Sequence, residues 1–359
     1  MSSSHSPTPA VRPRVGIACS HATRELYLAA GDLDRLAAIA DVEIAEFDVP
    51  AQSWTMTPPS PEEEQRLASF AADLDVLVVC HGAPRVGPVV FATAPRLAVV
   101  GDLEGDRFAG RIDVVAARDA GVAVIDTSHS SSWPVAEWAL GLSLVGLREH
   151  ARFRDIIAGQ AMDHSDYRTK APARELTGRR VGLIGFGHIA WRLCELLAPF
   201  HVEVLAYDPY APRELADALH VDFAPLELIM ACDVVICLAP ATPRTRGMIG
   251  ATELDLLRPG AVFVNVSRGV VVDVPALIAK ASKADAWFAL DAHDPEPIAV
   301  DSPLRGMRNV FISPHIGGMT EEAQPRFFSL MVDEIKRWTE GHEPRAQLTD
   351  RVVAGRRGD

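Results

Sequence analysis

Arg179-Arg180-Val181-Gly182-Leu183-Ile184-Gly185-Phe186-Gly187-His188-Ile189-Ala190 decides the fold of this chain. Val181 to Ile184 is a short apolar run with β-branched residues, the pattern of a buried parallel strand. Two glycines then break it. Gly185 permits a tight turn, Gly187 lets backbone come close to a bound group, and Ala190 is small enough to pack helix on strand. From there Trp191, Leu193, Leu196 and Leu197 recur at helical spacing. Strand, Gly-x-Gly-x-x-Ala and helix together form the turn that seats a dinucleotide pyrophosphate. The helix entered at His188 and Ile189 offers unpaired N–H groups and the positive end of its dipole to that anion.

About twenty residues on, Val202-Glu203-Val204-Leu205-Ala206-Tyr207-Asp208 reads as a second strand ending in an acid. Asp208 stands where the adenosine ribose is expected, accepts from a 2′-hydroxyl and repels a 2′-phosphate. This favours NAD over NADP as the cofactor, although Arg213 lies close in sequence.

Composition bounds the rest. The 359 residues are enough for two domains, and 48% hydrophobic with 23% charged residues is ordinary for a globular chain. A net charge of −13 argues against nucleic acid or an anionic membrane as partner. The five cysteines (Cys19, Cys80, Cys194, Cys232, Cys237) lie mostly in apolar runs without paired metal spacing. They read as reduced core thiols of a cytoplasmic protein, and no metal site is expected. Met1 to Pro13 lacks the apolar core of a signal peptide and reads as a disordered start. No apolar run has membrane-spanning length.

The first third alternates strands and helices. Strands are expected at Arg14–Cys19, Val42–Phe47, Val76–Cys80, Leu97–Gly101 and Val122–Ile125. Helices are expected at Leu26–Ile39, Glu62–Ala72 and Ile112–Ala120. A long amphipathic helix from Trp133 to about Gly159 bridges this unit to the glycine strand. Strands at Val221–Phe223, Val234–Leu238, Ala261–Val266, Trp287–Asp291 and Val310–Ser313 follow, then a returning helix, Thr320–Thr339. Arg345 to Asp359 is polar and reads as loose, with 350–359 expected to be disordered. The expected class is α/β, with two doubly wound parallel-sheet, Rossmann-like domains and an interdomain cleft. Residues 1–132 with 319–359 form the substrate domain, and 133–318 the NAD-binding domain.

Three strand ends carry polar groups that an apolar sheet does not need. After Ala261–Val266 comes Ser267-Arg268-Gly269, and a guanidinium at a strand's C-terminal end suits a carboxylate in the crevice. After Trp287–Leu290 comes Asp291-Ala292-His293-Asp294-Pro295-Glu296-Pro297. After Val310–Ile312 comes Ser313-Pro314-His315-Ile316-Gly317-Gly318. A carboxylate beside an imidazole favours the charged ring, which suits His315 to acid catalysis near neutral pH.

With these motifs in order the chain, from Val76 to about Glu343, resembles the D-isomer-specific 2-hydroxyacid dehydrogenases. The resemblance also rests on Val135-Ala136-Glu137, Tyr207-Asp208-Pro209-Tyr210 and Thr242-Pro243-Arg244-Thr245-Arg246-Gly247. It implies catalytic roles: Arg268 holds the 2-oxo acid, His315 exchanges a proton with its C2 oxygen, and Glu296 tunes that His. Pro240, Thr245, Val266, Ser267 and Asp291 would line the nicotinamide half of the cofactor, and the chain would be a homodimer through its NAD-binding domain.

The sequence departs from that family where specificity is read. The usual short glycine-rich loop is replaced by the longer, charged stretch Gly101 to Arg111. Gly82, Leu103 and Arg107 are the expected substrate contacts there. His81, Arg107 and Arg111 either meet an extra anionic group on the acid or pair with Asp102, Glu104 and Asp106. His293 also stands where a large apolar residue is commoner. The expected function is hydride transfer between NAD(H) and C2 of a small-molecule 2-oxo or D-2-hydroxy acid. The alternatives are an NAD(H)-sensing scaffold without catalysis and a dehydrogenase of formate or phosphite.

Overall fold

The computed structural model describes residues 12–52, 55–56, 60–104, 111–149, 157–159 and 173–357. The chain divides into two compact units, Met1–Ser130 with Glu321–Val353, and Ser131–Thr320 with Ala354–Asp359.

In the first unit the strands are β1 (Arg14–Cys19), β2 (Asp41–Glu46), the short pair β3 (Ala51–Gln52) and β4 (Thr55–Met56), β5 (Val76–Val79), β6 (Val99–Asp102) and β7 (Ala123–Asp126). β1, β2, β5, β6 and β7 form one parallel sheet in the order β2-β1-β5-β6-β7. β5 is buried along its whole length, which is why Val-Leu-Val-Val shows no alternation. Helix Pro61–Ala71 starts on a capping box, with the Ser60 N–H donating to Glu63 (2.8 Å) and the Glu63 N–H donating to Ser60 Oγ (3.2 Å).

Two expectations are corrected in this unit. The helix expected at Leu26–Ile39 is two helices, His21–Tyr27 and Ala30–Ile39. Ser20 caps the first, accepting from the Thr23 N–H (3.2 Å), and Leu28 leaves helical geometry to bury its side chain. The tail expected to be loose is built onto the sheet. The Asp126 N–H donates to Ala346 O (3.0 Å) and the Leu348 N–H to Val124 O (2.8 Å), so Ala346–Leu348 satisfies the outer edge of β7. Helix Asp350–Arg357 follows.

In the second unit the strands are β8 (Arg180–Ile184), β9 (Glu203–Tyr207), β10 (Asp222–Phe223), β11 (Val234–Cys237), β12 (Val262–Asn265), β13 (Trp287–Leu290) and β14 (Val310–Ile312). All are parallel, in the order β10-β9-β8-β11-β12-β13-β14. The order reverses between β8 and β11, and open α/β sheets bind ligands beyond the strand ends at such a point. Two apolar layers cover the faces, one around Leu183, Val264 and Ala289, the other around Ile184, Phe263 and Phe288.

Of the helix expected from Trp133 to about Gly159, the stretch Ser132–Leu147 is one helix that ends there, and residues 150–156 lie outside the described residues. Glu149 takes a left-handed φ of 50°, which ends the helical path. The expected amphipathic stripe is also corrected: of its sixteen residues Glu137 alone is exposed. Nine of the sixteen are buried and six, Leu140 and Leu144 among them, are partly exposed, so apolar residues extend past the buried face. Gly146 lies so close to Val262 that an added Cβ would meet its Cγ1 at 2.5 Å. Among the described residues no helix is long and apolar enough to cross a membrane.

Candidate active site

The glycine turn follows β8. Gly185 takes φ +97°, and a Cβ there would stand 2.9 Å from Ala239 N, so the turn requires glycine. Gly187 caps helix His188–Leu197, and a Cβ built on it meets nothing within 4 Å. Space therefore opens over the N–H groups of the first helical turn, as a pyrophosphate needs. His188 lies on Trp191 with ring centroids 4.5 Å apart, and the Ile189 side chain belongs to the core. Both would serve a dinucleotide through their backbone N–H groups.

Asp208 follows β9, as expected for the ribose acid. It also does local work. Phe186 donates its N–H to Oδ2 (2.8 Å), and Tyr210 and Ala211 donate theirs to Oδ1 (2.8 and 3.1 Å). The carboxylate thus ties the glycine turn to the β9 turn, and its remaining lone pairs suffice for a hydroxyl donor. Beyond β11, the Thr242 N–H donates to Thr245 Oγ1 (2.7 Å) and the Thr245 N–H to Thr242 Oγ1 (3.0 Å). Thr245 Oγ1 in turn donates to Pro240 O (2.5 Å), which rigidifies the loop. These residues fit a dinucleotide.

The three polar strand ends are neighbours. Asn265 on β12 pairs with Leu290 on β13, and Leu290 with Ile312 on β14. Arg268, Glu296 and His315 therefore leave adjacent C-terminal strand ends. His315 Nδ1 is hydrogen-bonded to Glu296 Oε1, both side chains being under one-fifth exposed. His315 takes φ +57°, a left-handed conformation at a turn that aims the ring. Glu296 lies between two prolines, each preceded by a cis peptide bond.

The roles that hold this arrangement were not legible from residue types. Asn265 is 1% exposed and shapes the turn that carries Arg268: Oδ1 accepts from the Ser267 N–H (3.1 Å) and Oγ (3.0 Å), and Nδ2 donates to Arg268 O (3.1 Å). Ser267 Oγ also meets Cys237 Sγ at 3.3 Å, and Val266 is buried beside it. Asp291, expected against the nicotinamide, is 2% exposed and builds the histidine turn. Oδ1 accepts from Ser313 Oγ (2.5 Å) and the Ile316 N–H (3.0 Å), and Oδ2 from the Gly317 N–H (2.9 Å). Trp138 Nε1 donates to Ser313 Oγ (3.2 Å), and His293 Nε2 lies 2.8 Å from Ser313 O. The departure at His293 thus has a structural use.

Gly269 is the tightest point. A Cβ there would stand 1.9 Å from the His293 carbonyl carbon and oxygen, so the turn after β12 presses backbone on the turn after β13. Gly269→Ala should cost about 1–3 kcal/mol and weaken catalysis more than folding, because the displaced peptide precedes Glu296. Urea midpoints and turnover on the same protein check this. A variant with normal turnover would show that the two turns move independently.

The first unit holds a second polar cluster. Arg111 Nη1 donates to Asp102 Oδ1 (2.5 Å), and the two side chains are 6% and 0% exposed. His81 Nε2 lies 3.2 Å from Glu104 Oε2, which also accepts from the Tyr27 hydroxyl. Of the two expectations for His81 and Arg111, the pairing with Glu104 and Asp102 is the one present; Arg107 lies outside the described residues. Leu103, expected to contact substrate, is fully buried, with its N–H donated to Val79 O (3.1 Å) and its carbonyl accepting from Thr127 Oγ1 (3.1 Å). Its side chain is thus packed in the core and both its backbone groups are engaged inside the unit. Gly82 takes φ +87° with Ser20 and the Phe47 carbonyl within 2.7 Å of an added Cβ, so its place is a packed crossing of loops.

Burial pushes the Asp102 carboxyl up to about 6, partly opposed by Arg111. Its folded value thus exceeds the ordinary 3.8, so between those values the folded chain binds more protons there than the unfolded chain. The contribution to stability is present below the unfolded value and is lost as pH rises through about 6. Asp102→Asn should remove that slope from urea midpoints measured across the window. An unchanged slope would assign it to other groups.

Comparison with known proteins agrees with this geometry. Residues 140–317 match the family described as D-isomer specific 2-hydroxyacid dehydrogenase, NAD binding domain. The chain is 32% identical over 294 residues to D-3-phosphoglycerate dehydrogenase of Methanocaldococcus jannaschii, covering 81% of this chain and 53% of that one. It is 36% identical over 221 residues to D-3-phosphoglycerate dehydrogenase of Escherichia coli K12, covering 60% and 52%. The chain spans about half the length of these curated relatives. The apo form of Rhodotorula graminis D-mandelate dehydrogenase shares the fold, with TM-score 0.76 at 21% identity over 94% of this chain and 98% of that one. Glycine turn, ribose acid, paired His–Glu and family match converge: the chain belongs to the D-isomer-specific 2-hydroxyacid dehydrogenases, and its second unit carries their NAD-binding domain.

Proposed function

We propose that this protein reduces a 2-oxo acid to a D-2-hydroxy acid, and catalyses the reverse, with NAD(H). The observation that carries the reading is the Glu296–His315 pair, joining the β13 and β14 ends next to the β12 end that carries Arg268. The cofactor supplies hydride to C2. Arg268 binds the acid's carboxylate through its planar fork and polarises the oxo group. Glu296 holds Nδ1, so His315 carries the transferable proton at Nε2 and gives it to the C2 oxygen as charge develops there. In oxidation the same ring takes the proton back.

The pairing of His81 with Glu104 and of Arg111 with Asp102 supports an acid without a second strong anion, because both side chains are already paired with a carboxylate. The working assembly is a homodimer through the second unit; helix Ser132–Leu147 supports it, since its partly exposed positions include Leu140 and Leu144. The five buried thiols support a cytoplasmic location. The test is loss of NADH absorbance against a panel of 2-oxo acids, with and without a phosphate or second carboxylate. Monocarboxylic acids should turn over best. Tight NADH binding without oxidation by any acid would overturn the assignment.

A further inference from the structure

The second unit holds a cavity of about 220 Å³ that no step above uses. Its lining includes Val272, Val274, Leu277, Ile278, Leu290 and Leu304, and it continues past Gly269, Ala292, His293, Asp294 and Pro295 to Asp301. The walls are mostly apolar. The charged side chains in the lining are Asp294 and Asp301, both exposed, with no Lys or Arg among these described residues. The volume is below that of drug-sized sites and above the roughly 150 Å³ that holds a benzene. Its place in the chain is specific. Gly269 adjoins Arg268, Asp294 and Pro295 precede Glu296, and His293 reaches Ser313, two residues before His315.

We propose that this cavity is a regulatory site for a small organic cation, an aromatic or branched apolar body of benzene size bearing an amine. Resting on the function proposed above, its occupant acts on catalysis by pressing on the three turns that carry Arg268, Glu296 and His315. The apolar body takes the place beside Leu277, Ile278 and Leu290, and the amine meets the carboxylates at the rim. Gly269 and His293 already touch without slack, so a ligand wedged against them moves both turns together.

Benzylamine is the probe, with benzoate as its charge-reversed control, read by calorimetry on the full chain. Benzylamine should bind one to one and benzoate should not. Asp301→Asn should weaken benzylamine about twofold to fivefold, as an exposed ion pair allows. Ile278→Phe and Ala299→Leu, which add bulk to the lining from two separate segments of the chain, should each abolish binding while NADH binding persists as the control for folding. A variant that loses NADH binding is set aside and the other decides. Coupling is read without turnover, from the NMR resonance of the His315 ring, identified by its loss in His315→Gln; benzylamine should shift it. The site is overturned if benzylamine does not bind, or binds both filled variants as it binds the parent. An unmoved His315 resonance at saturation overturns the regulatory role. Both readouts hold even for a protein that oxidises no NADH, so failure here is separable from failure of the proposed reaction.

Discussion

His315→Gln protein should bind NADH as the parent does and turn over its 2-oxo acid about a thousandfold more slowly, within the usual range for a lost general acid. The amide keeps a polar side chain on the β14 turn but cannot donate a transferable proton to the C2 oxygen. The turn itself should survive, because Asp291 holds it through Ser313 Oγ and the Ile316 and Gly317 N–H groups rather than through the imidazole. The loss should therefore fall on kcat, with the NADH dissociation constant unchanged. Single-turnover NADH oxidation with fluorescence titration of the cofactor checks both halves. Near-normal turnover would exclude His315 as the proton carrier and leave the protein a cofactor-binding chain whose chemistry lies elsewhere.

Arg268→Ala should lower kcat/KM about a hundredfold to a thousandfold, as expected for removing a charged donor that meets developing charge. In the proposed reaction the guanidinium would have two tasks, and kinetics separate them. Holding the carboxylate acts equally on substrate and transition state, so its loss raises KM; polarising the oxo group acts in the transition state, so its loss lowers kcat. Arg268→Lys should recover part of kcat but little of KM, because an ammonium cannot present the planar fork. The turn should persist in both variants, since Asn265 shapes it through Ser267 and the backbone carbonyl of residue 268. A variant whose KM and kcat both stay within a few fold of the parent would remove Arg268 from the substrate site.

The strands of both sheets were legible because a parallel strand buried on both faces needs an unbroken apolar run, and Val76–Val79 and Val234–Cys237 are such runs. Helix ends were legible where a cap is written in the sequence, as at Ser60-Pro61. They were missed where burial decides. Leu28 interrupts a helical pattern by turning inward, and helix Ser132–Leu147 carries apolar residues beyond its buried face, which blurs the periodicity that would mark its end. The C-terminal segment was misread because its polar composition hides the few groups, the Ala346 carbonyl and the Leu348 N–H, that complete the β7 edge.

By itself the sequence determined the strand–glycine–helix turn, the acid after β9 and the residue types at three strand ends. Each of these is local, since Gly185 is required by its own φ and a proton carrier must be a titratable side chain. The tertiary structure alone decided which groups meet. It set Glu296 on His315, turned Asp291 inward to build the histidine turn, made His293 a strut, and matched Arg111 with Asp102. Pairings of this kind depend on strand order, register and loop path, which here bring together residues 9 to 22 positions apart, and no regular spacing along the chain encodes them.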